Sequence, residues 1–485
     1  MTRAEPVPPP NIVLINCDDL GYGDLGCYGS ELHATPHLDR MADEGARFTD
    51  FLMASSVCSP SRAALLTGCY PLRIGFGGKD GGGLGGVLFP GWPIGLAPSE
   101  VTIARALGDA GYATMAVGKW HCGDQPDFLP TNHGFDHWYG IPYSNDMGRQ
   151  APAPGEPTDP EMRVILEDLG VTMPWVRPPL PLMDGEEVVE EQPDQASLTG
   201  RYVEQAVRFL RASHDRPFFL YLAHLYVHLP IYVQERFLVE SRNGPYGGAV
   251  ASIDWATGVV IHELRRLGLE ERTLVIFTSD NGALAGDRGG SGSNEPLRGA
   301  KGTTWEGGHR VPCLMRWAGR IEPGTVVEEL ATSLDLFPTI ASLCGAGVPT
   351  DRTIDGRPIG GLVGLGADRP DPDRAFVYIL DGSIEAVRVG RWKLHVRKRH
   401  RELSALYDLV ADVGETEDLS SDHPDVVAEL TSVLDRWRAD LGDEATGVPG
   451  RDVRPIGRVA DPRTLTTFDP DHPYYLAEYD LPYRG

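Results

Sequence analysis

The segment Cys58-Ser59-Pro60-Ser61-Arg62 puts a thiol, a proline and a guanidinium within one helical turn. Proline is tolerated in a first turn because its missing N–H would have no partner there, and the run Ala63-Ala64-Leu65-Leu66 that follows predicts a helix with Cys58 at its amino end. Unbonded N–H groups at such an end favour negative charge, and Arg62 adds a cation to the same place. Cys58 is therefore a candidate nucleophile at a position suited to an anion. A second group consists of Asp18-Asp19 and Asp280-Asn281-Gly282. Three carboxylates and an amide oxygen brought together would repel one another unless a hard cation sat among them, and all-oxygen donors suit Ca2+ or Mg2+. Taken singly, such pairs are often turns or helix caps. A third group is basic: Lys119 and His121 in Gly118-Lys119-Trp120-His121, His224 and His228, and Lys301 in Leu297-Arg298-Gly299-Ala300-Lys301-Gly302. The chain has only five lysines, at 79, 119, 301, 393 and 398, so a lysine in each of these segments is notable.

Four short apolar runs, at 12–15, 115–117, 218–222 and 274–277, lack the alternation of a half-exposed strand and predict strands buried on both faces of a parallel sheet. Helical stretches separate them, at 101–110 closed by Gly111, at 197–212, and at 249–267 closed by Gly268. This alternation predicts an α/β fold: a large mixed, mostly parallel sheet flanked by helices, with ligands bound at the carboxyl ends of the strands. Those ends carry Asp18-Asp19, Lys119 to His121, His224 with His228, and Asp280-Asn281. Beyond about residue 370, alternating segments at 375–380, 386–389, 392–396 and 406–409 precede an amphipathic helix at 425–441. They predict a smaller C-terminal antiparallel sheet plus helix, giving a catalytic α/β domain over 10–368 and an α+β subdomain with an irregular tail over 369–485. The glycine cluster 77–86 is a loop, and without the Walker lysine and its Ser/Thr it is not a phosphate loop. The loops 77–93 and 152–193 carry no interpretable signal.

The motif Cys58-x-Pro60-x-Arg62, with Ser59, Ser61 and the following Ala-Ala-Leu-Leu-Thr-Gly, resembles the modification signature of the formylglycine-dependent sulfatases, in the alkaline phosphatase superfamily. Asn16 to Gly21 and Thr278 to Gly282 look like that family's calcium segments, and the lysine segments are similar to two more of its signatures. The resemblance extends over roughly residues 10–345, and Gly140 to Asp146 is most like the arylsulfatase A branch. It implies that Cys58 becomes 3-oxoalanine (formylglycine) through a formylglycine-generating enzyme. It implies a metal held by Asp18, Asp19, Asp280, Asn281 and the modified Cys58, with Ca2+ the usual ion and Mg2+ the alternative. Arg62, Lys119, His121, His228 and Lys301 become catalytic candidates, and Ser144, His228 and Lys301 substrate contacts, His228 because His228-Leu229-Pro230 fits the family's His-x-Pro. His224 is read as a core histidine or as one that supports the site residues from behind, and His309 stands at a position the family does not fix. A positive pocket of this kind suits a sulfate dianion or monoester. The implied reaction is hydrolysis of aryl or carbohydrate sulfate esters by a hydrated aldehyde, with His121 as base for its regeneration. A phosphonate or phosphate ester hydrolase of the same superfamily is the alternative, and a non-catalytic sulfoglycan-binding protein the rival from another class.

Composition narrows the rest. Across 485 residues, 44 Lys plus Arg against 69 Asp plus Glu give a net charge of -25, which repels polyanions and argues against a nucleic-acid partner. A 41% hydrophobic content without any run of about 18 apolar residues predicts a folded protein with no membrane partner. The seven scattered cysteines do not resemble a disulfide framework, and the N-terminus has no apolar h-region, so the expectation is free thiols and a cytoplasmic location.

Overall fold

The computed structural model describes residues 9–78, 81–82, 84–148, 178–285, 292–368, 371–399, 401–469 and 471–473. Lys79, most of the 152–193 loop and the end of the C-terminal tail lie outside the described residues. The large sheet is built from β1 (Asn11–Cys17), β2 (Ala46–Phe48), β3 (Ala113–Gly118), β4 (His137–Gly140), β5 (Pro181–Asp184), β6 (Glu187–Glu191), β7 (Phe218–Ala223), β8 (Thr273–Ser279), β9 (Cys313–Arg316) and β10 (Thr325–Val327). Its order is β10-β2-β9-β8-β1-β7-β3-β4-β5-β6. The centre, β8-β1-β7-β3-β4, is wholly parallel, and the antiparallel pairings lie toward the two edges. The four apolar runs seen in the sequence are the cores of β1, β3, β7 and β8, adjacent in space and buried along their full length.

Helices cover both faces. The helices α2 (Cys58–Thr67), α3 (Ile103–Asp109) and α6 (Leu336–Cys344) bury Leu65, Leu66, Leu107, Phe337 and Ile340 with Ile12 and Leu14 of β1. On the other face α1 (Pro36–Asp43), α4 (Gln195–Ala212) and α5 (Gly244–Arg266) bury Leu38, Met41, Tyr202, Leu210, Ile253 and Val260 with Val13 and Ile15. Alternate residues of β1 thus feed opposite cores, which is why its sequence shows no alternation.

A second sheet, β11 (Ala375–Leu380), β12 (Ser383–Val389), β13 (Trp392–Lys398) and β14 (Arg401–Asp408), is an antiparallel meander with α7 (Pro424–Leu441) against it. Its core includes Ala64 of α2, together with Leu52, Tyr70 and Leu334. All ten residues of α2 are therefore buried between the two sheets. Gly68, with φ +68°, closes this helix by returning its N–H to Ala64 O at 2.8 Å. All seven cysteines are unpaired. Among the described residues no helix is long and apolar enough to cross a membrane.

Asp254 of α5 ties two helices together by accepting the N–H groups of His37 (3.0 Å) and Leu38 (2.8 Å) at the amino end of α1. Burial outweighs those bonds and pushes its pKa up to about 7, against about 3.9 in an unfolded chain. A folded value above the unfolded one means that protonated Asp254 stabilises the fold below pH about 4, and that this contribution is lost as pH rises through about 7. Asp254→Asn is accordingly expected to gain stability over the wild type between about pH 5 and pH 8, read by urea unfolding at each pH. A difference between the two proteins that stays flat across that range would refute this.

Candidate active site

The tips of the parallel strands converge, and the ladder continues one step past each strand. Asp280 N–H donates to Cys17 O (3.0 Å), His224 N–H to Asn16 O (2.9 Å) and Lys119 N–H to Ala223 O (2.8 Å). Gly118 makes the last of these possible, since with φ +103° a Cβ there would stand 1.9 Å from Ala223 O. The loops beyond the strands therefore start from fixed directions.

Asp18 lies at the bottom. Its Oδ2 is 2.5 Å from Lys119 Nζ and 3.4 Å from Arg62 Nη2, and its Oδ1 accepts from Cys58 Sγ at 3.4 Å. Arg62 also donates through Nε to Asp280 Oδ2 (2.7 Å) and through Nη1 to Lys119 O (2.8 Å). Asp19, in the left-handed region at φ +60°, meets Lys301 Nζ at 2.8 Å and Asn281 Nδ2 at 2.7 Å, with His228 Nε2 at 3.9 Å. Ser144 Oγ is 3.1 Å from Lys119 Nζ and 3.4 Å from either ring nitrogen of His228. These residues, which the sequence places up to 283 positions apart, form one connected cluster.

His121 belongs to it electrostatically rather than by a direct bond. Burial, then Lys119 and Arg62, hold its pKa well below that of an ordinary histidine, and its Nε2 is bonded to Leu88 O at 3.0 Å. His224 is buried with neither ring nitrogen hydrogen-bonded among the described residues, and burial with Arg62 nearby lowers its pKa to about 4, which fits a core role. His309 donates through Nδ1 to Met53 O at 2.8 Å and stays outside the cluster.

Charge is close to balanced among these groups. Asp18, Asp19 and Asp280 face Arg62, Lys119 and Lys301. Burial alone would raise the Asp18 pKa, but Lys119 and Arg62 carry it well below the usual carboxylate range. Asp280, which burial and Asp18 oppose, is pushed up to about 6. Burial and Asp18 raise the Cys58 thiol well above its ordinary value, so an unmodified Cys58 stays protonated and is a poor nucleophile. Mutual repulsion of the acids is thus answered by protein cations, and the case for a metal rests on donor chemistry instead. Asp18, Asp19, Cys58 and His228 offer ligand atoms within 4.8 Å of one another. Beside them, the buried Oδ1 of Asn281 has no hydrogen-bond partner among the described residues. A buried carbonyl oxygen left unpaired next to carboxylates fits a hard divalent cation.

One set of residues had no signal in the sequence. The Lys301 loop is fastened to the small sheet by Glu306, whose carboxylate meets Lys393 (2.9 Å) and Tyr378 (2.5 Å) and whose N–H donates to Glu415 Oε2 (2.7 Å). Trp305 is held between Arg298 and Lys398, 3.8 and 3.6 Å from its ring centroid. Partners this distant in sequence are recognisable only after folding.

An α/β sheet that gathers acids, cations and one helix-terminal cysteine at its strand tips defines a hydrolase of anionic esters. The sulfatase family model matches residues 10–346. The steryl-sulfatase of Mus musculus is 41% identical over 440 residues, covering 79% of this chain and 70% of that protein. Arylsulfatase A of Homo sapiens is 40% identical over 443 residues, covering 85% and 83%. The crystal structure of the PsFucS1 sulfatase from Pseudoalteromonas sp. has a TM-score of 0.77 at 26% identity, covering 93% of this chain and 92% of that one. The chain belongs to the sulfatase family. It is a sulfuric ester hydrolase, and the family implies a formylglycine and a divalent metal, which the buried cluster around Cys58 is composed to accept.

Adding CaCl2 or MgCl2 to chelator-treated protein is expected to raise its thermal midpoint, by a stabilisation of about 2.7 kcal/mol at a hundredfold excess over Kd. Asp19→Asn should lose most of this shift in a thermal-melt titration. An undiminished shift in the variant would remove Asp19 from the donor set.

Proposed function

We propose that this sulfatase hydrolyses aryl or carbohydrate sulfate monoesters, using Ca2+ bound by Asp18, Asp19, Asp280 and Asn281 and a Cys58 oxidised by a formylglycine-generating enzyme. The observation that carries the proposal is the meeting of Cys58 Sγ with Asp18 Oδ1 at 3.4 Å in a pocket that Lys119 and Lys301 also enter, 2.5 and 2.8 Å from Asp18 and Asp19. The names of the relatives, arylsulfatase A and steryl-sulfatase, support an ester of a small alcohol.

With three acids offset by three cations, a bound divalent ion leaves the pocket in positive excess, which suits an anionic ester. Once converted, residue 58 supplies a hydrated aldehyde whose hydroxyl attacks sulfur. The protein's own groups divide by depth. The side chains of Arg62 and Lys119 are 0% exposed and orient Asp18 and residue 58 from below. Lys301 (16% exposed) and His228 (12% exposed) reach the mouth, where they contact the sulfate oxygens and assist the departing alcohol. Ser144 bridges the two levels through Lys119 and His228. His121 serves as the base that restores the aldehyde.

Protein in which intact mass shows conversion of Cys58 should hydrolyse an aryl sulfate faster than the matching aryl phosphate and phosphonate. Cys58→Ala should lower kcat by about three orders of magnitude or more. Faster turnover of the phosphonate would favour the superfamily alternative, and full activity of Cys58→Ala would end the proposal.

A further inference from the structure

The loop after α2 crosses back over that helix's amino end. A Cβ at Gly85 would lie 3.2 Å from Val57 Cγ2, and one at Gly86 3.5 Å from Pro60 Cγ. Two hydrogen bonds fix the loop at Leu88. Its N–H donates to Ser59 Oγ at 3.1 Å, and its carbonyl accepts from His121 Nε2 at 3.0 Å. Ser59, Leu88 and His121 are 0%, 3% and 1% exposed, so water does not compete for either bond.

A carbonyl can only accept, so Nε2 carries the proton of the neutral ring and Nδ1 keeps its lone pair. That Nδ1 has no hydrogen-bond partner among the described residues. The backbone is held as well, because His121 sits at φ +60° and donates its N–H to Pro142 O at 3.0 Å. Rotation of the ring is thereby opposed by one carbonyl, and the residue that bears it is held at its N–H by one serine.

We propose that Ser59 is a positioning residue, which through Leu88 sets the tautomer and orientation of His121 and leaves Nδ1 free to act as a base. The inference rests on the reading given under Proposed function. In that reaction Nδ1 takes the proton of the hydroxyl remaining on the residue 58 carbon. The C=O bond re-forms as the C–O bond to sulfate breaks, the electron pair leaves with the sulfate oxygen, and the proton passes from His121 to solvent. Ser59 is thus assigned to the second half of the cycle and not to the first.

Ser59→Ala removes the acceptor from a small buried site. In protein with unmodified Cys58, hydrogen exchange at the Leu88 amide should rise in the variant. In converted protein, kcat for an aryl sulfate should fall about tenfold with kcat/KM almost unchanged, so that KM falls with kcat, and protein bearing one sulfo group should accumulate in the intact-mass spectrum. The double variant with His121→Ala should be no slower than His121→Ala alone, because the two act as one unit. Unchanged Leu88 exchange, or equal falls in kcat and kcat/KM without sulfated protein, overturns the assignment. A converted wild type that does not turn over aryl sulfate sinks the parent reading instead, so the two failures are told apart.

Discussion

The interaction on which the rest of the structure depends is the grip of Arg62 on three strand tips at once. Its guanidinium bonds Asp280 beyond β8 and approaches Asp18 beyond β1, while Nη1 reaches the carbonyl of Lys119 beyond β3. A buried charge of this kind is tolerable only when it is paired and hydrogen-bonded. Here each end of the pairing is supplied by a rigid element: parallel strands on one side and α2 on the other. The geometry around Cys58 follows, because Cys58 and Arg62 are one turn apart on that helix.

The second sheet is part of the same arrangement. By closing over α2 it removes the helix from water, and through Glu306, Lys393 and Glu415 it holds the segment that carries Lys301. Burial would raise the Glu306 pKa, yet Lys393, Arg310 and Arg388 hold it well below the usual range, so the carboxylate stays charged and the clamp stays closed. The mouth of the pocket is thus positioned from the C-terminal part of the chain and its floor from the N-terminal part.

Much of this was legible in the sequence, for specific reasons. The unalternating apolar runs at 12–15 and 274–277 mark strands covered on both faces, and β1 and β8 are such strands. Gly68 and the proline of the first turn delimit α2 within a residue or so. The acids and Lys119 stand next to strand ends, so fold logic alone brings them to one edge, whereas Lys301 comes from a loop far from either flanking strand. The antiparallel outer strands did not show, because short pieces such as β2 and β10 have too few residues to display a period. The clamp of Trp305 between Arg298 and Lys398 did not show either, since that pairing joins parts of the chain far apart in sequence. The expectation that three acids require a metal to coexist needed amendment, because each of them meets a lysine or arginine that sequence order does not pair with it.

The enclosure of α2 bears on when the proposed conversion of Cys58 can take place. Cys58 is 2% exposed, beneath a roof made by residues up to hundreds of positions later in the chain. Any macromolecule that must grasp this stretch as a substrate therefore meets it before the roof closes, on a chain still being made or not yet folded. A copy that folds first is sealed with its thiol intact. Under the proposed conversion of Cys58, the active fraction is decided by a race between that conversion and folding, not by later adjustment of the finished molecule.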